Sequence, residues 1–234
     1  MCGRYSLAAP NPAQVRARFP IGESLAVEPH YNIAPGSDVL TVTTDRAGEP
    51  RGESLRWGLV PSWAKESSVA FRMINARAET LRERAAYRKP FERFRCLIPA
   101  DGFYEWQALP GERRKQPFHI SRADGELFAF AGLWSVWHRG EPDELRTCTI
   151  ITTAANTRMA EVHDRMPVIL AREAEAPWLA HDTPLEAVEA LLGGLGSDQI
   201  VLRAVGPAVN DARYDGPECL LDPPPPAQES LFTP

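Results

Sequence analysis

The chain is 234 residues long with 44% hydrophobic and 9% aromatic positions, enough for one substantial core and slightly short of two, so a single domain is expected. No stretch nears the roughly 18 consecutive apolar residues of a membrane span, and the N-terminus lacks a basic start followed by an apolar block, so a cytoplasmic protein with no membrane partner is expected. The net charge of −5 argues against a polyanionic partner only if the charges are evenly spread, and they are not.

In chain order, short β-branched or aromatic runs between turn residues predict strands near 2–7, 38–44, 54–60, 95–106, 117–120, 127–137, 146–153, 166–170 and 199–204. Helices are fewer. Asn11 and Pro12 read as a cap and a first-turn proline leading into 13–19, with 78–87 and the acidic, alanine-rich 172–193 as the other candidates. Strands separated mostly by turns and loops predict an α+β single domain, with a largely antiparallel, barrel-like β-sheet core and peripheral helices, over 1–221. Beyond it, Asp222 and the prolines 223–226 can continue neither sheet nor helix and should extend as polyproline II, making 222–234 a flexible tail.

Charge is segregated along the chain. Between Phe71 and Arg95 stand eight basic residues against three acidic ones, whereas 171–234 holds eleven acids against three arginines. Arginine supplies 23 of the 26 basic side chains, and its planar fork suits phosphate oxygens. A solvated helix laced with salt pairs explains 82–95 equally well. The four cysteines, Cys2, Cys96, Cys148 and Cys219, form no CxxC pair, so free thiols are expected rather than disulfides or metal ligands, with the last three as core. No metal or cofactor is expected.

Met1-Cys2-Gly3 allows methionine aminopeptidase to remove Met1, which would leave Cys2 with a free α-amine beside a thiol. An α-amine with a pKa of ~7.7 to 8.0 keeps an appreciable neutral fraction and can add to an aldehyde as a Schiff base. The neighbouring thiol can then close a thiazolidine ring. This chemistry requires an exposed 1,2-aminothiol at the mature terminus. A cysteine at the second position is more often a buried structural thiol, so further motifs have to shift the balance.

Six ordered motifs do so. They are Met1-Cys2-Gly3-Arg4-Tyr5, the stretch from Tyr31 to Gly36, the stretch from Trp57 to Trp63, Asn75-Ala76-Arg77-Ala78-Glu79-Thr80, the stretch from Arg95 to Trp106, and that from His163 to Leu170. Together they resemble the SOS-response-associated peptidase (SRAP) family, with His30 standing where the family pattern has an arginine. The resemblance implies a nucleoid-associated sensor of abasic sites in single-stranded DNA, which shields the lesion through a thiazolidine DNA–protein crosslink. It makes Cys2 the nucleophile, Asn75 a hydrogen-bonding group that positions the terminus or adduct, and Glu105 and His163 the proton-transfer pair. An abasic deoxyribose is mostly a closed hemiacetal, so acid/base groups must open it and expel water from the carbinolamine. The aromatic neighbours of Glu105 should desolvate it and raise its pKa, and a histidine near ~6.5 can donate to the sugar oxygen.

Arg4 and Arg77 are the favoured phosphate contacts and Arg165 a weaker third, while Pro35 and Trp63 lie in proline-punctuated loops where a ring could press on exposed bases. Trp57, Trp106 and Trp134 read as core. In the tail, Gln228, Leu231 and Phe232 resemble the short peptides with which bacterial repair proteins dock on the replication sliding clamp. Three alternatives stay open: an N-terminal-nucleophile cysteine amidase acting on glutamine, a peptidase, and a non-catalytic single-strand binding module.

Overall fold

Ten consecutive residues, Phe128–Trp137, are buried along their whole length. Their sequence, FAFAGLWSVW, is apolar on both faces, which suits a strand covered from both sides rather than one with a wet face. In the computed structural model, which describes residues 2–8, 12–23, 25–111 and 113–225, this strand is the axis of the fold. The elements in order are β1 (Arg4–Leu7), α1 (Pro12–Arg18), β2 (His30–Ile33), β3 (Asp38–Thr44), β4 (Pro50–Trp57), β5 (Asn75–Arg77), α2 (Ala85–Arg93), β6 (Arg95–Ala100), β7 (Gly102–Gln107), β8 (Gln116–Arg122), β9 (Phe128–Trp137), β10 (Leu145–Ala154), β11 (Arg165–Pro167), β12 (Ile169–Leu170), α3 (Arg172–Leu179), α4 (Leu185–Ala190) and β13 (Ile200–Ala204).

The strands form two sheets. One runs β13-β8-β7-β1-β2, antiparallel throughout; the other runs β11-β10-β4-β3-β6-β9-β12, with β5 beside β10. Because β9 also pairs with β10, the strands β10, β4, β3, β6 and β9 close on themselves as a barrel. Two pairings, β10 with β4 and β10 with β5, are parallel, so the antiparallel expectation holds for most of the sheet but not all. The core runs through the barrel and continues under β1 and β7, with Tyr5 set edge-on to Trp57 at 5.4 Å and to Phe130 at 5.6 Å.

Most strands fall where alternation placed them, and β3 does so to the residue. The 95–106 run is two strands: the chain breaks at Asp101, whose side chain accepts hydrogen bonds from Ser6 Oγ at 2.6 Å and Ala8 N at 2.6 Å. The helix placed at 78–87 is a 3₁₀ turn at Ala78–Thr80 followed by α2, which runs to Arg93 through Pro90. Burial of Tyr87, Pro90 and Phe91 on one face outweighs the backbone bond the proline removes. The 172–193 stretch is broken into α3 and α4, with Pro184 capping the second.

Arg95 also departs from its expected place on a basic face. It is 3% exposed, and its guanidinium donates to the carbonyls of Phe91, Glu92, Trp178 and Ala180 at 2.5–3.0 Å. These carbonyls end α2 and α3, where unpaired C=O groups concentrate negative partial charge. One buried cation therefore ties two helix ends to the barrel without a carboxylate.

Candidate active site

Register brings the chemistry-bearing residues together. β1 pairs with β7 so that Arg4 faces Tyr104, which sets Cys2 at the end of the ladder where Glu105 follows. Along β10, Ile150 pairs with Asn75 and Thr152 with Arg77, while on the other edge Thr152 pairs with Pro167 and Ala154 with Arg165. The last part of β10 thus holds β5 on one side and the segment after His163 on the other. Two side-chain bonds close the gap between sheets. Asn75 Nδ2 donates to the Cys2 carbonyl at 2.8 Å, and Gln107 Nε2, at the end of β7, donates to the Glu161 carbonyl at 2.7 Å, just before His163.

Neither Asn75 nor its strand is held loosely. Trp57, 1% exposed, donates its indole N–H to the Ile74 carbonyl at 2.8 Å, and Tyr87 Oη donates to the Asn75 carbonyl at 3.1 Å. With its amide NH₂ on Cys2, Asn75 keeps a buried Oδ1 that has no hydrogen-bond partner among the described residues. A buried acceptor left over in this way is costly unless a donor arrives. The three-residue β5 was not expected from sequence because it is too short to show alternation.

Glu105 is 4% exposed. Burial raises its carboxyl above the ordinary range, against the pull of the nearby His163 and Lys115. His163 Nδ1 lies 3.0 Å from the Arg165 amide and 2.8 Å from Asp164 Oδ1, two neighbours with opposite demands. The amide is fixed by the backbone and requires a lone pair on Nδ1, whereas the Asp164 carboxylate is 87% exposed and so the contact that yields when the ring is neutral. The lone pair therefore belongs on Nδ1 and the proton on Nε2, where His163 can donate.

Cys2 itself is fully buried in the chain that carries Met1, whereas an exposed aminothiol is expected of the mature terminus. It packs into the main core, its Sγ is 3.8 Å from the Arg4 carbonyl, and burial followed by the nearby Glu105 charge drives the thiol pKa far upward. The cause is local: β1 enters the core immediately after Gly3, and with Met1 in the chain the nitrogen of Cys2 is an amide. Cys96, Cys148 and Cys219 are also buried free thiols, as expected.

The arginines divide. Arg77 is exposed, and its guanidinium has no hydrogen-bond or ion-pair partner among the described residues, only the charge of Glu79 in its neighbourhood. It sits two residues from Asn75 on β5, so both lie on one face. Arg4 is half-buried and committed inward, donating to Asn32 Oδ1 at 3.0 Å and the Val209 carbonyl at 2.8 Å beneath Trp106. Arg165 forms a forked pair with Glu79 at 2.6 and 2.9 Å and donates to the Thr152 carbonyl at 2.7 Å. It clamps the site's edges, engaged with Glu79 and Thr152 where a phosphate contact was expected. Trp63 is 66% exposed, and Pro35 borders a cleft whose other wall carries Phe71, 75% exposed. Phe71 is not singled out by the sequence, where Val69 and Ala70 beside it make it read as ordinary core. Trp57 and Trp134 are core, while Trp106 is only partly covered and donates to Asn210 Oδ1 at 2.7 Å. Gln228, Leu231 and Phe232 lie outside the described residues. No described helix is long and apolar enough to cross a membrane.

Fold and site together define a β-barrel protein that brings Cys2 together with an amide on β5, a buried carboxyl on β7 and an imidazole in the segment that leads into β11. Residues 1–212 match the family described as SOS response associated peptidase (SRAP). The chain belongs to this family. The abasic site processing protein YoqW of Bacillus subtilis is 42% identical over 94% of this chain and 99% of its own length. The abasic site processing protein HMCES of Rattus norvegicus is 30% identical over 94% of this chain and 75% of its own. Among solved structures, a protein from Bacteroides thetaiotaomicron superposes with a TM-score of 0.83 at 23% identity, covering 94% of this chain and 99% of its own, and a phage-related protein from Bordetella bronchiseptica with 0.72 at 30% identity, covering 92% and 99%.

Proposed function

We propose that this protein acts on abasic sites in single-stranded DNA and captures them through Cys2 once Met1 has been removed. The convergence of Cys2, Asn75, Glu105 and His163, with the Asn75 amide bound to the Cys2 carbonyl and its oxygen left over, carries the proposal. The names of the relatives, abasic site processing proteins, support the substrate class.

The steps balance without an oxidant. The freed amine adds to the aldehyde carbon of the ring-opened deoxyribose, forming a C–N bond, and the carbinolamine loses water to give an imine. The Cys2 sulfur then adds to the imine carbon, its proton passing to the nitrogen, and a thiazolidine results. The amine reacts first and the sulfur closes the ring only afterwards, so the thiol need not ionise before the imine has formed. Glu105 accepts the proton that the amine nitrogen sheds as the C–N bond forms and returns it to the departing hydroxyl, a task for a carboxyl whose pKa lies above its usual range. His163 Nε2–H donates to the sugar oxygen as the hemiacetal opens. The Asn75 oxygen accepts a hydrogen bond from the amine and Arg77 holds the flanking phosphate. Since Arg4 and Arg165 are bound internally, Arg77 carries the phosphate contact beside the lesion.

Burial of Cys2 makes Met1 removal the gate. Intact-mass measurement of the purified protein, alone and mixed with an abasic oligonucleotide, tests both steps. A chain lacking Met1 that gains the mass of the oligonucleotide less one water supports the mechanism; a processed chain that forms no denaturant-stable species refutes it.

A further inference from the structure

β3 and β9 run toward one end of the barrel, and β4, β6 and β10 start from it. A cleft of about 640 Å³ opens there. It lies roughly 20 Å along β10 from the Thr152 position that flanks Arg77, at ~3.3 Å per residue. Its lining is basic in a molecule of net charge −5: Arg46, Arg51, Arg93, Arg139 and Arg146 converge on it. Opposing them are Asp45, whose carboxylate is tied to the amides of Ala47 and Glu49, and Glu53, which bridges Arg51 and Arg146. Arg46, Arg93 and Arg139 are exposed and have no carboxylate partner among the described residues. Three guanidiniums face a single lining carboxylate that pairs with none of them, Asp45, so the cleft keeps a net positive charge, and the ligand that relieves it is an anion with several spaced charges.

The cleft does not end at the barrel mouth. Through Phe94 and Arg139 it joins a second cleft carrying Arg88, Lys89 and the exposed Trp63. The basic track therefore leads from the mouth along the face of α2 to the exposed Trp63, an indole suited to press on bases. We infer that Arg46, Arg93 and Arg139 form a second phosphate-binding site, which holds the sugar–phosphate backbone of the same DNA strand several nucleotides away from the abasic residue. Guanidinium forks on phosphate need no base contact, so the site reads chain length and not sequence. The inference rests on the DNA function proposed above.

Binding of lesion-free single-stranded oligonucleotides of increasing length, followed by fluorescence anisotropy, tests it without using the covalent chemistry. Wild type should gain affinity in a step once the strand is long enough to reach the mouth. The triple variant Arg46→Ala, Arg93→Ala, Arg139→Ala should lose that step, weakening long strands roughly tenfold near 0.1 M salt and making the slope of log affinity against log salt shallower by about 2, as three lost phosphate contacts on a single strand require. Short strands should bind as before. Arg139→Glu alone should weaken long strands in the same direction, and a control removing Arg16, Arg122 and Arg213 should leave the step in place. An unchanged length step in the triple variant overturns the inference. So does a triple variant that keeps the step but no longer binds inorganic tripolyphosphate, which would assign the cleft to a free polyphosphate. If wild type shows the length step but never forms an adduct with abasic DNA, the proposed function fails and the track stands.

Discussion

Two polar clusters lie at the two ends of the β1–β7 ladder, and their residue types mislead. Ser6, Asp101 and His119 are the ingredients of a hydrolytic triad; Asn75, Glu105 and His163 are not. Yet the first cluster is closed. Ser6 Oγ donates to Asp101 Oδ1 at 2.6 Å and accepts from His119 Nε2 at 2.9 Å, so the hydroxyl sits between acid and imidazole and has no proton left for a substrate. Gly102 packs so near the imidazole that an added Cβ would lie 2.1 Å from Nε2. The second cluster has a buried acceptor to spare at Asn75, beside a carboxyl with a raised pKa. What marks a site is the capacity left over after the fold has been satisfied.

The largest effect expected at the open cluster is all-or-none. Cys2→Ala should abolish the denaturant-stable adduct, and Cys2→Ser should fail to give a stable ring, while an uncleaved N-terminal extension that keeps the residue-2 nitrogen as an amide should abolish it equally. Gel shift under denaturing conditions reads all three. An extended protein that still crosslinks would show that some other nucleophile is at work.

Glu105→Gln comes next. It should slow adduct formation by about 10² to 10⁴. It should also remove a limb of the pH–rate profile that in wild type lies above the usual carboxylate range, because burial raises the pKa. The stability sign is opposite to that of most carboxylates: a folded pKa above the unfolded one means stability is lost as pH rises through it. The variant should therefore be at least as stable as wild type at pH 7 to 8 in urea titrations, giving slower chemistry in a firmer fold. Loss of both rate and stability would make Glu105 a structural residue.

Much of this contrast could be read from the chain, and some could not. Alternation located the long strands, and the motif resemblance picked out Cys2, Asn75, Glu105 and His163. Neither could see β5, which three residues are too few to announce, nor the burial of Cys2, which depends on how soon β1 enters the core. The arginines were least legible, since one side chain serves as a helix-end staple at Arg95, a clamp at Arg165, an inward brace at Arg4 and a free cation at Arg77. Charge runs along a sequence carry no record of which carbonyl or carboxylate a guanidinium will meet.

The closed cluster has its own pH signature. Burial, with Arg203 across the β8–β13 ladder adding to it, pushes His119 down to about 4. Between pH 6.5 and 4 the unfolded chain takes up a proton that the folded one refuses, so stability is lost as pH falls, by on the order of 3 kcal/mol over that window. His119→Gln keeps an N–H to offer Ser6 and has nothing to titrate; its denaturation midpoint should fall less steeply on acidification. An equal slope in both proteins would show that His119 is not the group that destabilises the fold in acid.

Ser6→Ala should have the smallest effect and separates the two clusters most cleanly. It removes the hydroxyl that serves both Asp101 and His119, at a cost of about 1–3 kcal/mol for the polar groups left behind. Asp101 still accepts from the Ala8 amide, so β1 keeps one anchor to the turn between β6 and β7. At temperatures where the variant is fully folded, its rate of adduct formation should match wild type, because Ser6 faces the lock and Cys2 faces Asn75. A rate that drops while the melting curve shows a folded population would mean that the lock sets the position of Cys2 along β1, and that the two clusters act as one device.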